Sequence, residues 1–583
     1  SIDTRFILNR PKIGRGTPNG LEAMGIHGSA VGMRRGCDAL VEQLQSDGVK
    51  YIFGNPGTVE QGWIDTIDRC PDIEYILTLQ EASAVGIADG YARKSGHLGV
   101  VQLHSGVGLG NGIGMLYQAL RGHTPMLILV GDAGLQYDNL QAQMAVDLVA
   151  MAAPVTKWAT RVTHPDSVLR TVRRAIKTAF AHPRGPVLVN LPADVMDATN
   201  REVVVPSVVP DQNGMPDADV IHYASALLKH SWSPAIIAGD GVSAASAQVE
   251  LSEIANVLGA PVWGCNWSAP NLPANDPHYR GDLGHMFGST SQKLLEGIDT
   301  LLVVGTYLFP EVYPDTSPEC LSDVNRIIHI DWDIDQIGKN FPVDIGIQCS
   351  PKAGLRALLH ELGEPTGKWK QRNDEVIAVN SDLREQRKVE YSSSERSRYL
   401  TQFGQTVTQI APPDTVYFDE ALTSSAPLFE VLPTSPGRWL QTRGGSLGVG
   451  VPSGVGMKLA VGSSSVVVIT GDGGFMYTLQ ALWTASHLDI SLVVVVCNNG
   501  AYELLKDNFE QYRMTQALDI SSNGPSSFRL TEPSVDYVMA CRSMGGDGEV
   551  VTDPAQFCSS IKRAFEAKVP YLIDLVIPNL ERR

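Results

Sequence analysis

Asp472 and Asn499 are the residues whose types and spacing most directly suggest chemistry. Asp472 lies in Gly471-Asp472-Gly473-Gly474, straight after the apolar run 466–470. Asn499 follows 27 residues later, in Asn498-Asn499-Gly500, straight after a second apolar run, 492–497. Apolar run, polar tip, helix-like segment, apolar run, polar tip is the pattern of a parallel βαβ unit. Such a unit brings both tips to the carboxyl ends of neighbouring strands, where open α/β sheets bind ligands. A carboxylate and an amide oxygen placed there are hard donors suited to Mg²⁺, an ion that keeps positions for water and phosphate oxygens. Glycines 471, 473 and 474 let the backbone approach a diphosphate, and a helix N-terminus adds N–H donors and a favourable dipole. Singly, each tip reads as an ordinary turn with a capping Asp or Asn. Together, at βαβ spacing, they read as a metal–diphosphate site.

The elements that must hold such a site extend over a long chain. At 583 residues it exceeds what one core supports. Composition is globular, 43% hydrophobic and 19% charged, and 56 Gly with 35 Pro suit many tight βα turns. A net charge of −17 argues against non-specific nucleic-acid binding. No apolar run is long enough to span a bilayer. Residues 1–20 are polar and basic without an apolar core, so no secretory leader is expected there. The eight cysteines are scattered without a CxxC pair, and a cytoplasmic location is the expectation.

Helix and strand patterns alternate from Arg34 onward, which predicts parallel sheets covered on both faces. The expected fold class is α/β, with three doubly wound parallel-sheet domains. An extended arm is expected at 1–33, a first domain at 34–200 and a Pro/Gly-interrupted linker at 201–215. A second domain is expected at 216–365, a charged connector at 366–398 and a third domain at 399–583. Strands are expected near 51–53, 73–79, 98–103, 126–130 and 187–191 in the first unit. In the second they are expected near 235–238, 262, 300–304 and 326–331. In the third they are expected near 416–418, at the two opening runs, and near 571–576. Gly239-Asp240-Gly241-Val242-Ser243-Ala244 follows a strand and fits GxGxxA, which admits a dinucleotide-binding dehydrogenase reading. The next strand, however, lacks a terminal acid.

GDG, 24 residues, then NN resembles the motif of thiamine diphosphate (ThDP) enzymes. The three-unit organisation likewise resembles the ThDP decarboxylase and acetolactate synthase family, with pyrimidine-binding, middle and diphosphate-binding domains in that order. The resemblance implies that Asp472, the Asn499 side chain and the Ala501 carbonyl hold Mg²⁺. Gly471, Gly473, Gly474 and Tyr502 then line the cofactor. It further implies a carboxylate at N1′ of the aminopyrimidine, and Glu81 in LQEASAVGIADGYA matches it. Without the motif, Glu81 reads as an acid favoured by a helix dipole. Leu447, in GGSLGVGVPSGVG, matches the apolar residue that bends the cofactor into a V.

FGNPGT (53–58), LQEASAVGIADGYA (79–92) and LHSGVGLGNG (103–112) resemble benzoylformate decarboxylase. On that resemblance His104 is the active-site histidine, a proton relay near neutral pH. The competing reading is a histidine that caps the following turn. Thr58 stands where that family has a serine. The middle domain resembles acetolactate synthases instead. Asp276 falls at the second active-site histidine, with His278 and His285 nearby as substitutes. Asn508 falls where the decarboxylase has an aromatic residue. The implied reaction is decarboxylation of a 2-oxo acid to an aldehyde, with carboligation as a companion. Acetolactate synthase-like acyloin formation is the alternative, and a non-catalytic ThDP-fold regulatory subunit is the alternative of another class. Some related synthases hold FAD in the middle domain; here FAD is possible but not expected. The resemblance also implies a homodimer or homotetramer with active sites between subunits, acting on a small-molecule 2-oxo acid without a nucleic-acid or membrane partner.

Overall fold

The structure is a computed structural model. It describes residues 33–578 apart from 266–267, 285, 287, 316, 318–320, 365–366 and 519–523. The expected arm, Met33 aside, and His285 lie outside the described residues.

Each of three sheets has six parallel strands. In chain order the first holds Tyr51–Gly54, Glu74–Leu77, Gly99–His104, Met126–Asp132, Trp158–Arg161 and Pro186–Pro192, side by side as 2-1-3-4-6-5. The third holds Val416–Glu420, Trp439–Gln441, Val466–Gly471, Val493–Asn498, Asp547–Val551 and Tyr571–Val576, in the same spatial order. The second differs. Pro234–Ala238, Val262–Gly264, Tyr279–Asp282, Thr300–Val304, Arg326–Asp331 and Ile345–Gln348 lie as 3-2-1-4-5-6, the dinucleotide-fold order. Arg34–Arg35 pairs antiparallel with Thr199–Asn200, tying the two ends of the first domain together.

Central strands such as Met126–Asp132 and Pro186–Pro192 are buried along their whole length, as strands covered on both faces must be. The first and third sheets each turn one face into a single shared core, which holds Phe53, Val101 and Ile128 beside Phe418, Val468 and Val494. At its centre the helices Glu81–Ser95 and Gly450–Val461 lie in backbone contact. A methyl added at Gly90 would collide with the Ser453 backbone, and one at Gly456 with the Ile87 carbonyl. Only glycine permits that approach. The Ser453 hydroxyl completes the seam by donating to the Gly86 carbonyl at 3.2 Å.

The charged connector is a 26-residue helix, Lys368–Ser393, that buries only Trp369, Val376 and Asn380. The helix-like segment after Asp472 is broken rather than continuous. One turn, Asp472–Phe475, is followed by a separate helix, Ala481–His487. Gly473 and Gly474 are poor helix formers, and the Thr478 hydroxyl bonds to the Gly448 carbonyl instead of staying in a helix. Among the described residues, no helix is long and apolar enough to cross a membrane.

Candidate active site

Strands Val466–Gly471 and Val493–Asn498 are adjacent and in register, Gly471 opposite Cys497, so both polar tips share one sheet end. Asp472 joins them. Its Oδ1 accepts the Gly473 N–H at 2.8 Å and its Oδ2 the Gly500 N–H at 2.6 Å. Burial pushes the Asp472 carboxyl above its usual range, and these backbone donors oppose the shift. Asn499 is buried beside it, its Oδ1 accepting the Ala501 N–H at 2.9 Å. Gly500 and Tyr502 bond to Leu530 and Phe528, which turns the Ala501 N–H and carbonyl to the opposite side, the side of the Asn499 amide. The turn thus brings a carboxylate, an amide oxygen and a backbone carbonyl to one sheet end, donor types that suit Mg²⁺. Open space adjoins Gly471, where an added methyl would meet nothing within 4 Å. The Tyr502 ring packs where a side chain on Gly473 would lie, which fixes that position as glycine.

The other half sits on the first sheet. Glu81 is the first residue of Glu81–Ser95, whose N-cap Gln80 accepts the Ser83 N–H at 3.0 Å. The Glu81 carboxyl is buried and accepts the Asn111 amide at 3.0 Å. Gly108 lies between Glu81 and His104. A methyl there would be 3.4 Å from Glu81 Oε1 and 3.4 Å from His104 Cβ. His104 ends its strand and makes no side-chain cap to the following helix, which removes the capping reading. Its Nδ1 instead meets Oε2 of Glu60 at 2.9 Å. Glu60 is fully buried, and its other oxygen accepts the Gly131 N–H at 3.1 Å. Burial raises the Glu60 carboxyl and the His104 bond opposes it. The ring packs against Gly57, where a side chain would collide with it, so the turn bearing the exposed Thr58 stays beside His104. Glu60 was not legible as a site residue. The one signal was an acid two places after Thr58, in a turn whose other polar residues already pointed to a site.

Leu447 is half-buried in a turn between Gly445 and Gly448, both at positive φ. His278 is not brought to the site. It is buried in the middle domain, with Nε2 2.8 Å from the connector's Asn373 and Nδ1 3.6 Å from Asp276. Its neighbours are the ones that sequence proximity to Asp276 and the connector's packing dictate. Asn508 is half-buried on Glu503–Thr515, a helix with no buried residue.

In the GxGxxA turn, Asp240 accepts the Ser268 N–H and hydroxyl, and accepts Arg443 at 2.7 Å. A methyl on Gly241 would be 2.5 Å from Gly305 Cα, so the turns that follow the first and fourth strands are in backbone contact. Both turns line a cavity of about 280 Å³ between the three domains.

Two sheets of one topology, one bearing a buried glutamate and histidine and the other a hard-oxygen turn, define a ThDP-binding α/β protein. Three family models match in order. They are the thiamine pyrophosphate enzyme N-terminal TPP binding domain (34–151), the central domain (221–358) and the C-terminal TPP binding domain (425–575). The chain belongs to this thiamine pyrophosphate enzyme family. It is 27% identical to benzoylformate decarboxylase of Pseudomonas aeruginosa, over 93% of this chain and 99% of that one. It is also 27% identical to the acetolactate synthase large subunit of Haemophilus influenzae, over 91% and 92% respectively. Among solved structures it resembles the ThDP-dependent 4-hydroxybenzoylformate decarboxylase of Rhodococcus jostii. That match has a TM-score of 0.80 and 24% identity, and covers 93% of this chain and 99% of the other. Benzoylformate decarboxylase of Polynucleobacter necessarius gives a TM-score of 0.82 at 23% identity, over 94% and 99%. At those identities the structural matches speak for the fold.

Proposed function

We propose that this chain is a ThDP- and Mg²⁺-dependent decarboxylase of a 2-oxo acid that releases an aldehyde. The observation that carries the proposal is the His104–Glu60 pair standing across Gly108 from Glu81. Bound ThDP supplies the electron sink that lets CO₂ leave. Glu81 holds the proton at N1′ of the aminopyrimidine. With Nδ1 engaged by Glu60, Nε2 of His104 is the nitrogen left to deliver a proton to the product carbon. The Thr58 hydroxyl holds the substrate carboxylate. Asp472, Asn499 and the Ala501 carbonyl would hold Mg²⁺, and Leu447 would pack against the cofactor.

A second reading, acyloin formation as in acetolactate synthases, is favoured by one feature. His278, one of the two substitutes for the second histidine, is held inside the middle domain by Asn373. The two readings separate on product. Purified enzyme given ThDP, Mg²⁺ and a panel of aliphatic and aromatic 2-oxo acids is expected to release free aldehyde. Acyloin without free aldehyde would overturn the decarboxylase reading. The active form is proposed to be a cytoplasmic homodimer or homotetramer sharing its sites between subunits. Light scattering that found a fully active monomer would overturn that part.

A further inference from the structure

Glu420 is a buried carboxylate with no role in the chemistry above. It ends the strand Val416–Glu420 and is 2% exposed, and among the described residues four donors converge on it, none of them a basic side chain. Oε1 accepts the Gly448 N–H, and the Val449 N–H at 3.1 Å. Oε2 accepts the Gly450 N–H at 2.8 Å and the Thr470 hydroxyl at 3.1 Å. Burial pushes the Glu420 carboxyl up to about 7, and the four donors oppose that shift.

What those donors belong to gives the arrangement its meaning. Gly448, Val449 and Gly450 follow Leu447 directly. Thr470 sits opposite Glu420 in the sheet and leads into Gly471 and Asp472. A methyl on Gly474 would be 3.4 Å from the Glu420 carboxyl, so the diphosphate turn itself folds over this group. The start of the Leu447 turn is anchored elsewhere, Arg443 to Asp240 of the middle domain and the Gly444 N–H to Gln118 of the first domain. Gly445 at φ +72° and Gly448 at φ +90° let the backbone turn sharply on either side of Leu447. Glu420 ties the far end of that turn to the strand that carries Asp472.

We propose that Glu420 is a positioning residue that fixes the Leu447 turn and the Asp472 turn as one rigid unit, so that a single cofactor meets both. The inference rests on the reading of Leu447 and Asp472 as the two ends of the ThDP seat. A glutamine places an NH₂ where one oxygen accepts, so an NH₂ at the Oε2 position loses the Gly450 N–H bond, while the Thr470 hydroxyl must turn to accept.

The test uses two probes of different reach on full-length apoenzyme in the presence of Mg²⁺. ThDP spans both turns, whereas inorganic pyrophosphate touches only the Asp472 turn. Calorimetric titration of Glu420→Gln is expected to show ThDP affinity reduced by about tenfold or more. Pyrophosphate affinity is expected to stay within about twofold. Equal losses for both probes would mean general loosening and overturn the proposal, as would no loss for either. If Glu420→Gln does not fold, Thr470→Val removes one of the four bonds. It is expected to give the same selective pattern at about threefold, and a non-selective pattern there overturns the proposal equally. Leu447→Ala separates the two layers. Unchanged ThDP affinity and turnover in Leu447→Ala would remove the underlying reading of Leu447, whereas the Glu420 coupling fails only on the ThDP-to-pyrophosphate ratio.

Discussion

The first and third domains have one topology and opposite chemistry. Both sheets run 2-1-3-4-6-5, and in both the helix after the second strand enters the shared seam, Glu81–Ser95 in one and Gly450–Val461 in the other. In both, a buried acid at or just beyond the end of the first strand reaches the end of the third. In the first domain Glu60 reaches the His104 imidazole, and in the third Glu420 reaches the Thr470 hydroxyl and three backbone N–H groups. One acid holds a side chain that can exchange a proton; the other holds backbone that cannot. The scaffold fixes where a carboxylate can stand, and the group it faces decides whether the site is reactive or structural. Function on this fold therefore has to be argued from the sites rather than the sheets.

The sharpest break of that comparison is at Glu81, the one carboxylate assigned directly to the cofactor. Glu81→Gln is expected to lower turnover by about 10²- to 10⁴-fold, the usual range for a positioned acid–base group. Spectroscopic titration should show ThDP still bound, because the Asp472 side is untouched. Turnover within a factor of about two of the parent would remove the role and favour a non-catalytic subunit.

Glu60 comes next and separates the two acids. Glu60→Gln removes the negative charge beside the imidazole and is expected to lower kcat by about tenfold or more. The loss is expected in kcat with ThDP affinity unchanged, because Glu60 orients the imidazole and does not touch the Asp472 side. An equal loss of ThDP affinity would make Glu60 a packing residue only. Glu420→Gln, by contrast, is expected to move cofactor affinity.

The seam that unites the two domains yields a stability effect. Gly90→Ala drives a methyl into the Ser453 backbone, which has no flexible end to yield. Overpacking of this kind costs about 1–3 kcal/mol, occasionally more. A lowered unfolding midpoint is expected, with the first and third domains melting together because they share one core. An unchanged midpoint would show the helices free to separate.

Sequence reading and structure part company along a consistent line. Buried central strands such as 466–471 and 126–132 were legible because both faces are covered and the run is continuously apolar. The strands that were missed, Trp158–Arg161, Tyr279–Asp282, Ile345–Gln348, Trp439–Gln441 and Asp547–Val551, all lie at sheet edges. There burial is partial and no continuous apolar run forms: Trp158–Arg161 is half-buried throughout, and Ile345–Gln348 alternates between exposed and covered positions. The site divides in the same way. Asp472, Asn499 and Glu81 stand in motifs that fix residue type and spacing. Glu60 and Glu420 act through contacts 44 and 50 residues away, to His104 and Thr470, which no local pattern announces. His278 was drawn to the site by its place beside Asp276, and only packing against Asn373 shows where it goes.

The smallest expected effect comes from the middle domain, where the sheet order differs and a buried acid serves neither turn. Asp331 ends the fifth strand, Arg326–Asp331, and accepts the Asp333 N–H at 2.8 Å. Burial pushes its carboxyl up to about 7. A native value above the unfolded one, about 3.9, means that the folded chain holds the proton more tightly. The stability Asp331 lends is then complete below pH 4 and is lost as pH rises through 7. An asparagine keeps the acceptor and cannot ionise. Asp331→Asn is therefore expected to match the parent's melting temperature near pH 4 and exceed it by about 1–3 °C at pH 8, with kcat unchanged at both. A change in kcat would give this carboxylate a link to the active site that its contacts do not provide. A pH-independent difference in melting would place the effect in packing rather than in charge.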